Sequence, residues 1–229
     1  MKYLKVLLFG IFAGLAIGLG SLAFTVATSF AVNEAGKVAN EWLMIGSALF
    51  SIGLILVCVL GLQLYTGKIG VVFDNREKIA ENAINLPIML VGNAIGAFAL
   101  GIICHFIFMN VPEIATRIVN IADAKIASNH VLIEGILCGA LVYIAVYFYK
   151  NLQNWGMKII GIIVAVTLFV YCGFQHCVAN MFYFGMAFNW NINMLWNLLI
   201  VILTNSVGAL LVRCIVHLTA IIATKKEEK

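Results

Sequence analysis

Apolar positions fall into six long runs with short polar stretches between them: about Leu4 to Val32, Trp42 to Phe73, Ala83 to Met109, Asn129 to Tyr149, Met157 to Phe188 and Asn193 to Ala223. A bilayer core about 30 Å thick takes ~20 apolar residues per helix, so each run predicts a membrane-spanning helix. The joining stretches read as loops and leave no room for a soluble domain. Residues 1–229 are therefore expected to form one transmembrane domain. The first run is about twice the 7–15 residues of a signal-peptide core and reads as a retained helix.

The second and fifth runs are too long for straight helices that rise ~1.5 Å per residue across such a core. Each carries polar residues and glycine inside it. In the second, LQLYTGKIG places Gln63, Thr66, Gly67, Lys68 and Gly70 together; in the fifth, GFQHCVANMF places Gln175, His176 and Asn180 within six positions. Paired interruptions at corresponding places point to inverted repeats with a selectivity region near the bilayer midplane. Other spans support a duplication. Asn93 and Asn205 share the pattern N-x-[IV]-G-A, and Gly14 and Gly18 in the first span match Gly135 and Gly139 in the fourth. Small residues four apart let helix backbones approach closely in lipid. The expected fold is an all-α membrane protein of six transmembrane helices in two inverted three-helix repeats, about 1–110 and 111–229, with helices two and five interrupted. Irregular backbone at membrane depth survives only when buried in protein or lining a cavity. Half-helix amino termini there would favour an anion.

Composition agrees with this pattern: 63% of residues are hydrophobic, 10% are charged, and mean hydropathy is +1.06. Soluble domains are about half apolar and a quarter charged. Charge placement adds sidedness through the excess of Lys and Arg in cytoplasmic loops. With both termini inside, Lys2, Lys5, Arg76, Lys78, Lys150, Lys158, Arg213, Lys225, Lys226 and Lys229 face the cytoplasm; only Lys37, Arg117 and Lys125 face outward, and Lys68 falls within a span. The net charge of +4 is thus mainly topology, and no basic arm suggests nucleic acid. All six cysteines lie in predicted spans without a C-x-x-C pair, which suits buried thiols packing as small hydrophobes. The alternative is a soft-metal site for Cu(I) built from Cys172, His176, Cys177, Met181 and Met186.

Among the histidines, His105, His130 and His217 lie toward span ends, where an imidazole reaches interfacial water, whereas His176 sits mid-span. An ionisable group at that depth is a functional candidate, and imidazole is the side chain that titrates nearest neutral pH. Lys68 reads either as a snorkelling anchor or as an anion attractor. Lys125, beside Asp123 in the outer loop, reads as a plain loop charge or a vestibule residue, and Glu134 stands near the outer mouth. No H-E-x-x-H, Walker A or G-x-S-x-G pattern occurs, so no enzyme and no cofactor is expected.

GFQHCVANMF resembles the fifth-helix signature of the formate/nitrite transporter family of pentameric anion channels, and LYTG resembles that family's second-helix loop. The resemblance covers all six spans and implies an aquaporin-like protomer, a homopentamer and a multi-pass place in the cell membrane. It implies that His176 is the central channel histidine, with Thr66 facing it and Asn205 contacting the central site. It places Phe169 at one apolar constriction and Leu64 with Tyr65 at the other, the phenol making that neck more polar. Lys125 becomes the lysine of the outer vestibule. The chain departs from the pattern at Gln175 (usually Glu), Gly139 (usually Asn) and Lys68 (often Asn or Ser); a TGK loop is associated with the short hydrosulfide-channel branch.

The function expected is passage of small monovalent weak-acid anions (formate, nitrite or hydrosulfide), with a proton acquired on the way. His176 either relays that proton or supplies a hydrogen bond. A neutral-solute pore of the water-channel kind lacks its Asn-Pro-Ala pairs here, since the only prolines are Pro87 and Pro112. A soft-metal permease is the other rival.

Overall fold

The computed structural model describes residues 1–33, 37–73, 76–188 and 190–227. The side chains of Arg76, Lys225 and Lys226, and the whole of Lys229, all counted above for sidedness, lie outside the described residues. Helices run Lys2–Ser29 (α1), Asn40–Val59 (α2), Tyr65–Lys68 (α3), Ile79–Phe108 (α4), Pro112–Ala127 (α5), Val131–Asn151 (α6), Trp155–Tyr171 (α7), Cys177–Ala187 (α8) and Ile192–Glu227 (α9), with short 3-10 turns at Gly70–Phe73 and Arg76–Lys78. By length and apolarity α1, α2, α4, α6 and α9 suit a membrane crossing, while α7 and α8 are shorter apolar helices. The run from Met157 to Phe188 is thus divided between α7 and α8, and the run from Trp42 to Phe73 between α2, α3 and a 3-10 turn.

The stretch between the third and fourth runs, expected to be loop, is helical instead. Pro112 stands at the first turn of α5, where its fixed φ is already helical and its missing N–H costs nothing. Ile114, Ile118, Ile121 and Ala122 then recur every three or four residues and are buried, which gives the helix an apolar stripe to dock. The stripe is only four residues wide in a polar segment, too weak to register as a span.

α1 lies along α4 and α6 along α9, and both pairs approach backbone to backbone. A methyl on Gly14 would overlap the Asn93 carbonyl and one on Gly96 the Ile11 carbonyl; on the other pair, Gly139 meets Asn205 and Gly208 meets Ile136 in the same way. Glycine permits this contact because lipid supplies no hydrophobic drive and close packing must hold the helices together. α8 is buried from Cys177 to Met186 against α4, α5 and α9. Outward faces stay apolar, with Leu8 and Phe12 on α1, Val91 and Ile95 on α4, and Leu199 and Leu203 on α9 all exposed. A surface of that kind suits hydrocarbon or a neighbouring subunit, not water.

Candidate functional site

Two helix endings built alike create the site. α2 ends at Leu60 and α7 at Cys172; in each case the next residue, Gly61 at φ 65° or Gly173 at φ 73°, takes the left-handed conformation that glycine adopts without steric cost. Leu62 N–H then donates to Val57 O at 2.9 Å and Gly61 N–H to Cys58 O at 3.3 Å. Phe174 N–H donates to Phe169 O at 2.9 Å and Gly173 N–H to Val170 O at 3.0 Å in the other half. This is the Schellman arrangement, which satisfies the last carbonyls of each helix and turns the chain sharply.

The chain then runs extended through Leu64 and His176 into the next helix, α3 or α8. One asparagine clamps each crossing. Asn93 Oδ1 accepts from Tyr65 N–H at 2.8 Å while its Nδ2 donates to Gly10 O at 2.8 Å and Gln63 O at 2.9 Å. Asn205 repeats the pattern: Oδ1 accepts from Cys177 N–H at 3.0 Å, and Nδ2 donates to Gly135 O and Gln175 O, both at 2.8 Å. Each amide satisfies two backbone groups of its crossing that no helix satisfies, Tyr65 N–H with Gln63 O and Cys177 N–H with Gln175 O, and ties them to a carbonyl of α1 or α6. Asn205→Ala orphans Cys177 N–H and Gln175 O, at roughly 1–3 kcal/mol each, and is expected to remove most of the folded population in a detergent melt. Asn93→Ala should do the same, and Thr219→Ala, on the exposed end of α9, should leave the melt unchanged.

The two crossings differ in one side chain. His176 is buried, and its Nε2 lies 2.9 Å from Thr66 Oγ1. Its Nδ1 accepts from Ala179 N–H at 3.2 Å, capping α8. An accepting Nδ1 carries no proton, so Nε2–H donates to Thr66, and the bonding pattern is that of the neutral imidazole. Leu64, buried at the same place in the first half, offers no polar atom. The Phe169 ring stacks on His176 at 5.9 Å between centroids and meets Phe50 edge-on at 5.7 Å.

Cavities approach this core from two directions. A cavity of about 550 Å³ is lined by Phe24, Phe50, Lys125, Phe169, His176 and Asn180, among others. A smaller one, about 200 Å³, is lined by Leu62, Leu64, Gly67, Lys68 and Lys150. Lys125 belongs to the larger cavity because α5 carries it over the second crossing, where its Nζ donates to Gly173 O at 2.7 Å and Phe174 O at 2.9 Å. Burial pushes this ammonium down to about 8; Cys138 and Glu134 act against the shift, and Arg117 adds to it. Part of its surface stays on the cavity, where water moderates the effect.

An amide network backs the lysine. The Lys125 carbonyl accepts from Gln175 Nε2 at 3.0 Å and Asn197 Nδ2 at 2.8 Å. Both amides therefore turn their oxygens to Asn180, whose Nδ2 donates to Gln175 Oε1 at 2.7 Å and Asn197 Oδ1 at 2.9 Å. Asn180 Oδ1 is left buried with no partner among the described residues.

The sequence-derived candidates thus separate. His176, Phe169, Asn180 and Lys125 share the larger cavity, Leu64 and Lys68 line the smaller, and Thr66 and Asn205 stand behind the lining as partners. Tyr65 lines neither cavity: its hydroxyl shares a 2.9 Å hydrogen bond with Ser206 on α9, because the single turn of α3 points it away from Leu64. Asn197 and Arg117 were not singled out for the site. Arg117 also lines the larger cavity, donating from Nε to Thr28 Oγ1 at 2.9 Å. Both belong to elements whose facing depends on α5 and α9 packing. The soft-metal reading loses its centre, since the Nδ1 lone pair of His176 is taken by Ala179 N–H and its Nε2 carries the proton, leaving no lone pair for a metal.

A helical membrane bundle with cavities converging on a buried polar core has the build of a solute-conducting protein. The chain belongs to the formate/nitrite transporter family, whose profile matches residues 1–219. It is 32% identical over 203 residues to the uncharacterized transporter YrhG of Bacillus subtilis, covering 81% of this chain and 74% of that one. It is 29% identical over 186 residues to the formate channel FocA of Haemophilus influenzae, covering 78% of this chain but only 64% of the relative, under two thirds of its length. Among solved structures, a pentameric formate channel with formate bound superimposes with a TM-score of 0.80 at 23% identity, covering 96% of this chain and 98% of that one. An FNT family ion channel gives 0.76 at 21% identity, covering 95% and 89%.

Proposed function

We propose that this protein passes small monovalent weak-acid anions, of the formate, nitrite and hydrosulfide kind, across the cell membrane as a homopentamer in which each protomer holds its own path. The protomer is read as two inverted three-helix repeats, with spans two and five interrupted at Gly61–Leu64 and Gly173–His176 and both termini in the cytoplasm. The matched clamps of Asn93 and Asn205 support the duplication. The formate channels among its relatives support the substrate class, and the pentameric neighbour supports the assembly.

The observation that carries the mechanism is His176 held between Thr66 Oγ1 and Ala179 N–H. Lys125 draws an anion into the larger cavity, beside the Phe169 ring. Moving inward the anion loses water, and desolvation favours its neutral acid. A proton from the bulk, passed along cavity water, bonds to the anion's oxygen or sulfur, and the acid crosses between Phe169 and Leu64 and releases that proton to water on the far side. His176 acts as a hydrogen-bond partner, its Nε2–H shared between Thr66 Oγ1 and the passing acid: relaying the proton through Nδ1 would break the α8 cap. Asn180 Oδ1 supplies an acceptor for the acid's O–H or S–H.

Purified protein in liposomes, loaded with a pH dye and challenged separately with formate, nitrite, hydrosulfide, acetate and lactate, tests this directly. Formate-class anions are expected to carry one proton each. Equal or faster passage of water or Cu(I) with no anion flux would reject the reading.

A further inference from the structure

Lys68 lines two cavities, the smaller one beside Leu64 and a separate one of about 210 Å³ bounded by Gln63, Asn82, Asn85 and Met89; among the described residues it alone is common to both. In the second cavity the Asn85 side chain is 7% exposed and its Oδ1 is buried without a partner. Asn82, beside it, is turned to Val72 O at 3.5 Å. A buried carbonyl oxygen left unpaired is unfavourable unless something comes to it.

The other half of the chain shows what belongs there. Gln63, Lys68, Asn85 and Asn93 stand at one constant offset from Gln175, Asn180, Asn197 and Asn205. In that second set the Asn180 amide joins the Gln175 and Asn197 oxygens at 2.7 and 2.9 Å. Lys68 occupies the place of Asn180, and its ammonium has donors enough for both Gln63 Oε1 and Asn85 Oδ1. Lys150 lines the smaller cavity as well, and its like charge opposes Lys68 staying there. The flexible four-carbon stem lets the charge move between the two spaces while its backbone stays in α3.

We propose that Lys68 is a two-position cation beside Leu64: turned into the smaller cavity it holds a small monovalent anion at that mouth, and turned back it docks on Asn85 and Gln63. Its position sets how often an anion waits at Leu64, so Asn85 is a positioning residue for conduction. This rests on the anion-passage reading above, and the dock itself is measurable without transport.

Two readouts on the full-length protein test it. In detergent, acetylation of Lys68 by an amine-reactive ester, followed by peptide mass spectrometry with Lys150 as internal reference, reports where the ammonium sits. Asn85→Leu removes the dock and is expected to speed acetylation roughly ten- to a hundredfold, the scale of one charge-assisted hydrogen bond. Asn85→Asp tightens the dock and is expected to slow it. In liposomes with a formate gradient, Asn85→Leu lowers the half-saturating formate concentration on that side by a similar factor, Lys68→Met raises it, and the Lys68→Met, Asn85→Leu double variant matches Lys68→Met alone. Unchanged acetylation in both Asn85 variants overturns the proposal, as does an Asn85→Leu effect that persists in the Lys68→Met background. If acetylation shifts as expected while no anion crosses in any variant, the dock stands and the anion-passage reading fails.

Discussion

Formate flux through a His176→Phe variant is expected to fall roughly ten- to a hundredfold. Phenylalanine keeps the ring beside Phe169 but loses both nitrogens. Thr66 Oγ1 then has no partner at 2.9 Å, Ala179 N–H is uncapped, and a neutral acid in the path loses the Nε2–H donor. A lost cap costs about 0.5–2 kcal/mol and an orphaned buried hydroxyl about 1–3 kcal/mol, so the effect divides between stability and flux. Two conservative variants apportion it. Asn places an amide oxygen near the Nδ1 position and is expected to keep the α8 cap and the melting temperature while losing flux. Gln places an amide N–H near the Nε2 position and is expected to keep flux within a few-fold of wild type, because an amide donates a hydrogen bond but does not titrate. If His176→Gln loses flux as completely as His176→Phe, the imidazole relays protons and the hydrogen-bond role assigned here is wrong.

The features readable from sequence were those written in short, self-contained patterns. The asparagines of N-x-[IV]-G-A and the glycines of α1 and α6 announce close helix packing because the geometry leaves no other residue room, as Gly139 against Asn205 shows. The match of Gly61-Leu62-Gln63 to Gly173-Phe174-Gln175 was also in plain view, yet Leu64 against His176 and Tyr65 against Cys177 hide it. What stayed hidden depends on tertiary placement. Lys125 looks like a loop charge until α5 folds across the second crossing and brings its Nζ onto two carbonyls. Tyr65 sits beside Leu64 in the chain, but one helical turn sends its phenol to Ser206. The amide network of Gln175, Asn180 and Asn197 closes only around the Lys125 carbonyl, which no local spacing reveals.

Lys125→Met is expected to lower formate flux at least tenfold near neutral pH and to flatten part of its pH profile. The ammonium is the charge nearest the second crossing, and the carbonyls of Gly173 and Phe174 that it holds would otherwise present only negative dipole ends to an approaching anion. Flux in wild type and variant alike declines as protons become scarce, but wild type has an additional loss. Burial pushes Lys125 down to about 8, so its charge is present below that pH and disappears above it. The ratio of wild-type to Lys125→Met flux should therefore be constant below about 7 and shrink toward one as pH rises past 8. Glu134, Cys138, Arg117 and His176 face the same ammonium, and a Glu134→Gln change, which removes a charge favouring the protonated form, should move the inflection to lower pH. Stability runs the other way. An unfolded lysine titrates near 10.4, so between about 8 and that value the unfolded chain binds more protons, and folding becomes more favourable as pH rises. A wild-type to Lys125→Met flux ratio that falls while wild-type detergent stability rises across one pH window, with the stability rise absent in Lys125→Met, would assign both to this ammonium; a flux ratio indifferent to pH would remove Lys125 from the conducting path.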